Sequence, residues 1–172
     1  LMGVFVTLYN YLGYHLLAPP YHLSQTVVGL IFSVYLVGTF SSAWMGQQAT
    51  RYGRGRILSI SFALIGAGIA LLALPWLSTM ALGIALVTFG FFGGHSVASS
   101  WVGSRAGAMR AEASALYLFA YYLGSSVLGG VGGLAYAAWD WLGVCAFAAV
   151  LTLIGGGIVW ALQQRAPQPV TA

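Results

Sequence analysis

Charge is what this sequence lacks most. Asp, Glu, Lys and Arg make up only 5% of its 172 residues, against about 25% in soluble domains. Lysine is absent, and the acidic residues are Glu112 and Asp140 alone. A soluble fold so poor in charge would expose wide apolar surface and aggregate. A single cysteine, Cys145, excludes an intrachain disulfide framework. It lies inside an apolar run and reads as a small packing residue. Glu112 and Asp140 stand at opposite ends of one apolar run, so they cannot form a carboxylate pair. No nucleophile–base–acid set is present either, and an enzyme is not expected. No metal-ligand cluster and no P-loop lysine occur, so neither a metal nor another cofactor is expected. The net charge of +4 does not indicate nucleic acid. It comes from short arginine clusters set between apolar runs, with no basic groove or nucleic-acid motif.

Long apolar runs are what the sequence has, and 60% of it is hydrophobic. Six spans are expected, at about residues 1–18, 26–47, 56–77, 78–103, 112–137 and 141–163. Each is near the roughly 20 residues a helix needs to cross about 30 Å of hydrocarbon. Helices satisfy their own backbone in lipid. A β-barrel would need apolar–polar alternation, and the runs show none. The expected fold is therefore an all-α membrane protein, a six-helix bundle over 1–164 followed by a tail at 165–172. The connections expected are Pro19-Pro20, 47–55, a tight turn at Pro75 and 76–79, 104–111, and 139–141 around Asp140.

The arginines set an orientation. Arg51, Arg54 and Arg56 fall in the second connection, Arg105 and Arg110 in the fourth, and Arg165 after the sixth run. The first, third and fifth connections hold no basic residue apart from histidine. The positive-inside rule then places both termini in the cytoplasm. Trp76, Trp139 and Trp141 are expected at the opposite interface, where indoles favour the headgroup level. No basic stretch precedes the first apolar run, so a cleavable signal peptide is not expected. The opening Leu1-Met2 gives an expectation of sequence upstream.

Polar residues single out four of the six runs. Thr7, Asn10 and Tyr14 recur at helical spacing in the first. Tyr35, Thr39 and Ser42 do so in the second, Thr88, His95 and Ser99 in the fourth, and Ser114, Tyr117, Tyr121 and Ser125 in the fifth. The third and sixth are nearly all aliphatic, Ala and Gly. The order polar, polar, plain repeats twice, which suggests two three-helix units. His95 is the one ionisable residue well inside a run, and such a residue is a functional candidate. Asn10, Tyr14, His95, Ser99, Tyr117 and Tyr121 are the candidates for a substrate path. The tyrosines offer an apolar body with a polar tip, which suits lipophilic or sugar-like solutes. Hydrogen bonding between helices would also account for them. Gly129 and Gly133, in G-x-x-x-G spacing, and Gly155-Gly156-Gly157 read as packing patches.

The run Gly46-Gln47-Gln48-Ala49-Thr50-Arg51-Tyr52-Gly53-Arg54-Gly55-Arg56 resembles the loop motif of the major facilitator superfamily. That motif is a Gly, three residues, an acid, a basic residue, then Gly and further basic residues. The resemblance gives Gly46, Arg51, Gly53 and Arg54 roles in a gating loop. The family's acid is Thr50 here, which removes one partner of the usual ion pairing. Residues 90–103 and 113–126 resemble the tenth and eleventh helices of YnfM-type inner-membrane transporters, a drug and sugar efflux branch of that superfamily. Leu12-Gly13-Tyr14 and Tyr52-Gly53-Arg54-Gly55 fit the same group. The resemblance covers the chain and aligns it with the C-terminal half, helices seven to twelve.

It implies a half-bundle with a 3+3 inverted repeat in a bacterial inner membrane. It further implies alternating access and proton-coupled efflux of a small organic solute. The partners implied are the lipid bilayer, an N-terminal six-helix half or a second copy, the solute and protons. A membrane scaffold without transport activity is the alternative.

Overall fold

The computed structural model describes residues 1–164; the expected tail at 165–172, with Arg165, lies outside the described residues. Every regular element among them is helical. The helices are α1 Met2–Leu17, α2 Gln25–Phe32, α3 Leu36–Tyr52, α4 Arg54–Leu72, α5 Leu77–Arg105 and α6 Arg110–Gln164. A 3-10 turn, Ser33–Tyr35, joins α2 to α3, and another, Gly107–Met109, precedes α6.

Four helical stretches among the described residues are long and apolar enough to cross a membrane: Gln25–Tyr52, Arg54–Leu72, Leu77–Arg105 and Gly107–Gln164. Six were expected. The first expected span, α1, has 16 residues and a length of about 24 Å, short of the hydrocarbon thickness. The fifth and sixth expected spans run together as one 55-residue helix, α6. Its helical geometry fails at Trp139 (φ −143°, ψ 26°) and Asp140 (φ 49°, ψ −145°). Asp takes positive φ more readily than most residues. The chain doubles back there, since a Cβ on Gly143 would strike the Ala135 carbonyl. In a straight helix those residues would stand about 12 Å apart. The two arms, 110–138 and 141–164, are therefore antiparallel rods.

The connections are shorter than the sequence suggested. The expected loop 47–55 reduces to Gly53, because α3 continues through Tyr52 and α4 begins at Arg54. Residues 48–52 are polar apart from buried Ala49, and they contain no helix breaker. Gly53 takes φ +90°, a value that favours glycine. At the other end α4 stops at Leu72 rather than 77. The residue before a proline disfavours helix, so Leu74 and Pro75 end it.

Small residues set how closely the helices pack. The pair α4 and α5 is antiparallel, and Gly68 and Gly83 face each other across it. A Cβ on either would fall within 2.6–2.7 Å of the other's carbonyl oxygen. Between α3 and α5 the hydroxyl of Ser42 donates to the Phe92 carbonyl (3.3 Å), and that of Ser96 to the Ser42 carbonyl (3.3 Å). Ser41 donates to the Phe89 carbonyl in the same interface. Against the first arm of α6, Thr7 of α1 donates to the Leu128 carbonyl (3.1 Å) and Tyr11 to the Gly129 carbonyl (3.2 Å). The second arm runs antiparallel to α4. Gln163 donates to the Gly55 carbonyl (3.0 Å) and the Ser59 hydroxyl (2.8 Å) at one end. Such bonds consume spare carbonyl capacity that lipid cannot serve.

Trp141 corrects the expectation of an interfacial indole. It is buried, and its Nε1–H donates to the Leu72 carbonyl (2.7 Å). Its ring stacks on His15 at 5.0 Å. Trp76 and Trp139 remain exposed, as a headgroup position requires. The indole thus ties the end of α4, the end of α1 and the break in α6 together. Trp141→Phe keeps the ring but orphans the carbonyl, and should cost about 1 kcal/mol. A thermal melt in detergent checks this; an unchanged midpoint would remove the hydrogen bond from the account.

Candidate substrate path

Helical spacing places Tyr117 and Tyr121 one turn apart on the first arm of α6, opposite His95 on α5. The Nδ1 of His95 and the Tyr117 hydroxyl share a hydrogen bond of 2.8 Å. The same hydroxyl lies 3.5 Å from the His95 carbonyl. In either tautomer Nε2 has no partner among the described residues. The imidazole packs on Tyr121 at 4.6 Å between centroids and lies near parallel to Phe91 at 6.0 Å. His95, Tyr117 and Tyr121 are all half-buried.

An aromatic track continues from there. Phe91 stacks on Phe5 of α1 at 4.0 Å, Phe5 meets Tyr9 at 4.3 Å, and Tyr9 meets Phe32 of α2 at 5.3 Å. Tyr35 sits edge-on to Phe5, Tyr9 and Phe92. The hydroxyls of Tyr9 and buried Thr88 are 2.7 Å apart, which fixes Tyr9 against α5. Phe32 precedes the 3-10 turn inside the second apolar stretch, and Tyr35 is its last residue. A 3-10 turn within a long helix often marks a hinge.

The structure brings the expected residues into two groups. His95, Tyr117 and Tyr121 form one. Asn10 and Tyr14 form the other, both exposed, and they border a cavity of about 370 Å³ with Tyr9, Gly13 and Phe32. Tyr117 and Tyr121 border another, of about 310 Å³. Ser99 lies one turn from His95 on α5, half-buried. Thr7 parts from its expected face and is buried against α6. Sequence reading missed Phe5, Tyr9, Phe32, Phe91 and Phe92. Their types were visible, but phenylalanine in an apolar run carries no sign of whether it faces lipid or a neighbour.

The gating-loop residues gather at the opposite end from Trp141. Arg54 donates from Nη1 to the Ser104 hydroxyl (2.7 Å), joining the start of α4 to the end of α5. Arg51 stands over the Tyr52 ring at 5.2 Å, and Arg105 over Trp101 at 5.1 Å. Thr50, in place of an acid, donates to the Gln47 carbonyl of its own helix (2.6 Å). The close approach of α3 to α5 falls at Gly38 and Gly93. A Cβ on Gly46 would meet only the Ser96 hydroxyl, at an ordinary 3.8 Å. Arg51, Arg54, Arg56, Arg105 and Arg110 all lie at this end of the bundle, since α3, α5 and α6 meet there.

Apolar helices of spanning length, small-residue interfaces and inward-facing polar groups define the class: a multi-pass α-helical membrane protein. Residues 1–172 match the family model described as Major Facilitator Superfamily, and the chain belongs to that superfamily. It is 49% identical over 154 residues to the uncharacterized MFS-type transporter YybF of Bacillus subtilis, covering 90% of this chain and 38% of that protein. It is 47% identical over 154 residues to the inner membrane transport protein YnfM of Escherichia coli, covering 90% and 37%. An uncharacterized transporter of Buchnera aphidicola is 40% identical over 165 residues, covering 96% and 40%. The chain thus spans well under half the length of the curated relatives it matches. No solved structure matches it.

Proposed function

We propose that this chain forms one six-helix half of a secondary transporter that moves a small organic solute by alternating access. The observation that carries the reading is the aromatic and imidazole track, which runs between helices from the His95 group to Asn10 and Tyr14. Helix pairing supports the 3+3 inverted repeat. Counting the arms of α6 separately and α2 with α3 as one rod, the first rod pairs with the fifth and the second with the fourth, both in parallel. The third pairs with the sixth and with the fourth, and the first meets the sixth where His15 stacks on Trp141. A two-fold axis that exchanges the first three rods with the last three maps this set of pairings onto itself. Under the proposal all six rods cross the bilayer, and the arginine end faces the cytoplasm of a bacterial inner membrane. Efflux in exchange for protons fits the branch named above. This half carries no carboxylate at depth, so coupling falls to His95 or to a partnering six-helix unit. The relatives are named as transporters, and no observation favours the scaffold reading.

A water-filled path can be tested without knowing the solute. Tyr121→Cys and Asn10→Cys in the full-length gene product should react with a membrane-impermeant maleimide. Leu153→Cys, on the outward side of the second arm and 76% exposed, should be shielded by lipid. Labelling at Leu153 with none at Tyr121 would sink the proposal.

A further inference from the structure

The two parts of the second rod are held unequally. In α3, Ser41 and Ser42 donate to carbonyls of α5, and Ser96 of α5 donates back. Among the described residues no hydrogen bond joins α2 to another helix, and Val28 alone of its eight residues is buried. The two parts meet at Ser33–Tyr35, a 3-10 turn with no buried residue. There the Ser33 hydroxyl donates back to the Leu30 carbonyl (2.6 Å), a bond that bends helices. A turn of this kind inside a longer helix suits a pivot. The other end of α2 is tethered. In the connection before it, the Leu23 N–H donates to the Leu16 carbonyl (3.0 Å) and the Tyr21 hydroxyl to the Pro75 carbonyl (2.8 Å). What remains free to move is the middle of α2, where Gly29 lies.

The cavity of about 370 Å³ separates that middle from α1. Gly13, Tyr14 and Leu17 border it on one side, and Gln25, Gly29 and Phe32 on the other. A Cβ on Gly29 would meet nothing within 4 Å, and one on Gly13 only the tip of the Phe32 ring, at 3.8 Å. Glycine weakens a helix relative to alanine, and the contacts in this structure call for it at neither position. Gly68 and Gly83, by contrast, each face main-chain atoms of the other's helix. A closer approach of α2 to α1 would use both Gly13 and Gly29. Glycine on the two facing surfaces lets helix axes come nearer than the usual separation of about 8–10 Å.

We propose that α2 is a gate on the transport path, an inference that rests on the transport reading above. The helix bows about the Ser33–Tyr35 turn and seats Gly29 on Gly13. The mouth at Asn10 and Tyr14 then closes while α3 keeps its place on α5. This structure has the gate open, with the cavity between the two helices.

The test uses Asn10→Cys in the full-length gene product in nanodiscs. Its reaction with a membrane-impermeant maleimide is followed above that of the same protein without the added cysteine. Adding Gly29→Val should raise the labelling rate about fivefold, the gain when a mouth open about one-fifth of the time is held open. Gly13→Val should act in the same direction. Gly29→Ala should give a smaller rise, and it replaces the valine variant if that one loses its size-exclusion profile. Gly157→Val, on the second arm of α6 with nothing within 4 Å of its Cβ, should change nothing. An unchanged or slower rate with the Gly29 variants would overturn the gate. So would an equal rise with Gly157→Val, which would mark a general loosening. If Asn10→Cys stays unreactive in every background while Tyr121→Cys labels from water, the gate fails and the transport path stands. If neither labels, the transport reading fails first.

Discussion

Gly68→Val is expected to prevent a stable bundle from forming. The first carbon of any side chain at Gly68 would lie 2.6 Å from the Gly83 carbonyl oxygen and 2.9 Å from the Val87 backbone nitrogen. Both are main-chain atoms of α5, so no rotamer change relieves the clash. The helices must separate, and α4 and α5 share the broadest contact in the molecule. Separation would also strip packing from Ile65, Leu72, Ile84 and Val87, all buried at that seam. Overpacking of this kind costs about 3 kcal/mol or more. In a membrane, helix association rests on close packing rather than on the hydrophobic effect, so little else can compensate. The measurement is size-exclusion behaviour and thermal midpoint in detergent. Gly66→Val and Gly157→Val are the controls, since nothing lies within 4 Å of a Cβ at either position. A monodisperse Gly68→Val protein with an unchanged midpoint would contradict the seam described.

His95→Ala is expected to lower transport by the full-length gene product on the order of tenfold, with normal abundance in the membrane. The substitution removes one hydrogen bond to Tyr117 and the ring face against Tyr121. The Tyr117 hydroxyl keeps the His95 carbonyl nearby, so the loss of stability should be only about 1 kcal/mol. Transport suffers more, because the ring supplies the free nitrogen of the track. His95→Gln separates hydrogen bonding from proton transfer. Glutamine can bond the Tyr117 hydroxyl but cannot titrate. If His95 carries a proton, His95→Gln should flatten the pH profile of transport while retaining solute binding. Rates and pH profiles that match wild type in both variants would leave His95 a packing residue.

The legible and illegible parts of the chain divide by physical cause. Lipid admits few solutions for a backbone, so charge depletion and run length alone led to an all-helical membrane protein. The break near Asp140 was legible too, because a charged residue between two apolar runs interrupts a span. Gly53 was legible because a positive φ next to basic residues suits glycine. The count of spans long enough to cross was less so. A 16-residue α1 depends on where a helix begins, which apolar composition does not mark. The loop expected at 47–55 failed for the same reason, since polarity was read as irregular structure where a helix only leaves the apolar zone.

The candidate site was half legible. His95, Tyr117 and Tyr121 stood out because polar groups are rare and costly in lipid, and they meet in one cluster. The phenylalanines that extend it did not stand out, because an apolar ring suits lipid and protein equally. Arg54 was marked by its motif, but its partner Ser104 was not.

By itself the sequence determined the solvent, the helical class and the gathering of arginines at one end, because each follows from composition and order along the chain. Only the tertiary structure decided which glycines are indispensable, that Trp141 is buried rather than interfacial, and that His95 ends an aromatic track. Those depend on which faces meet across helices distant in sequence. In an apolar chain, residues that face lipid and residues that face a neighbour look alike.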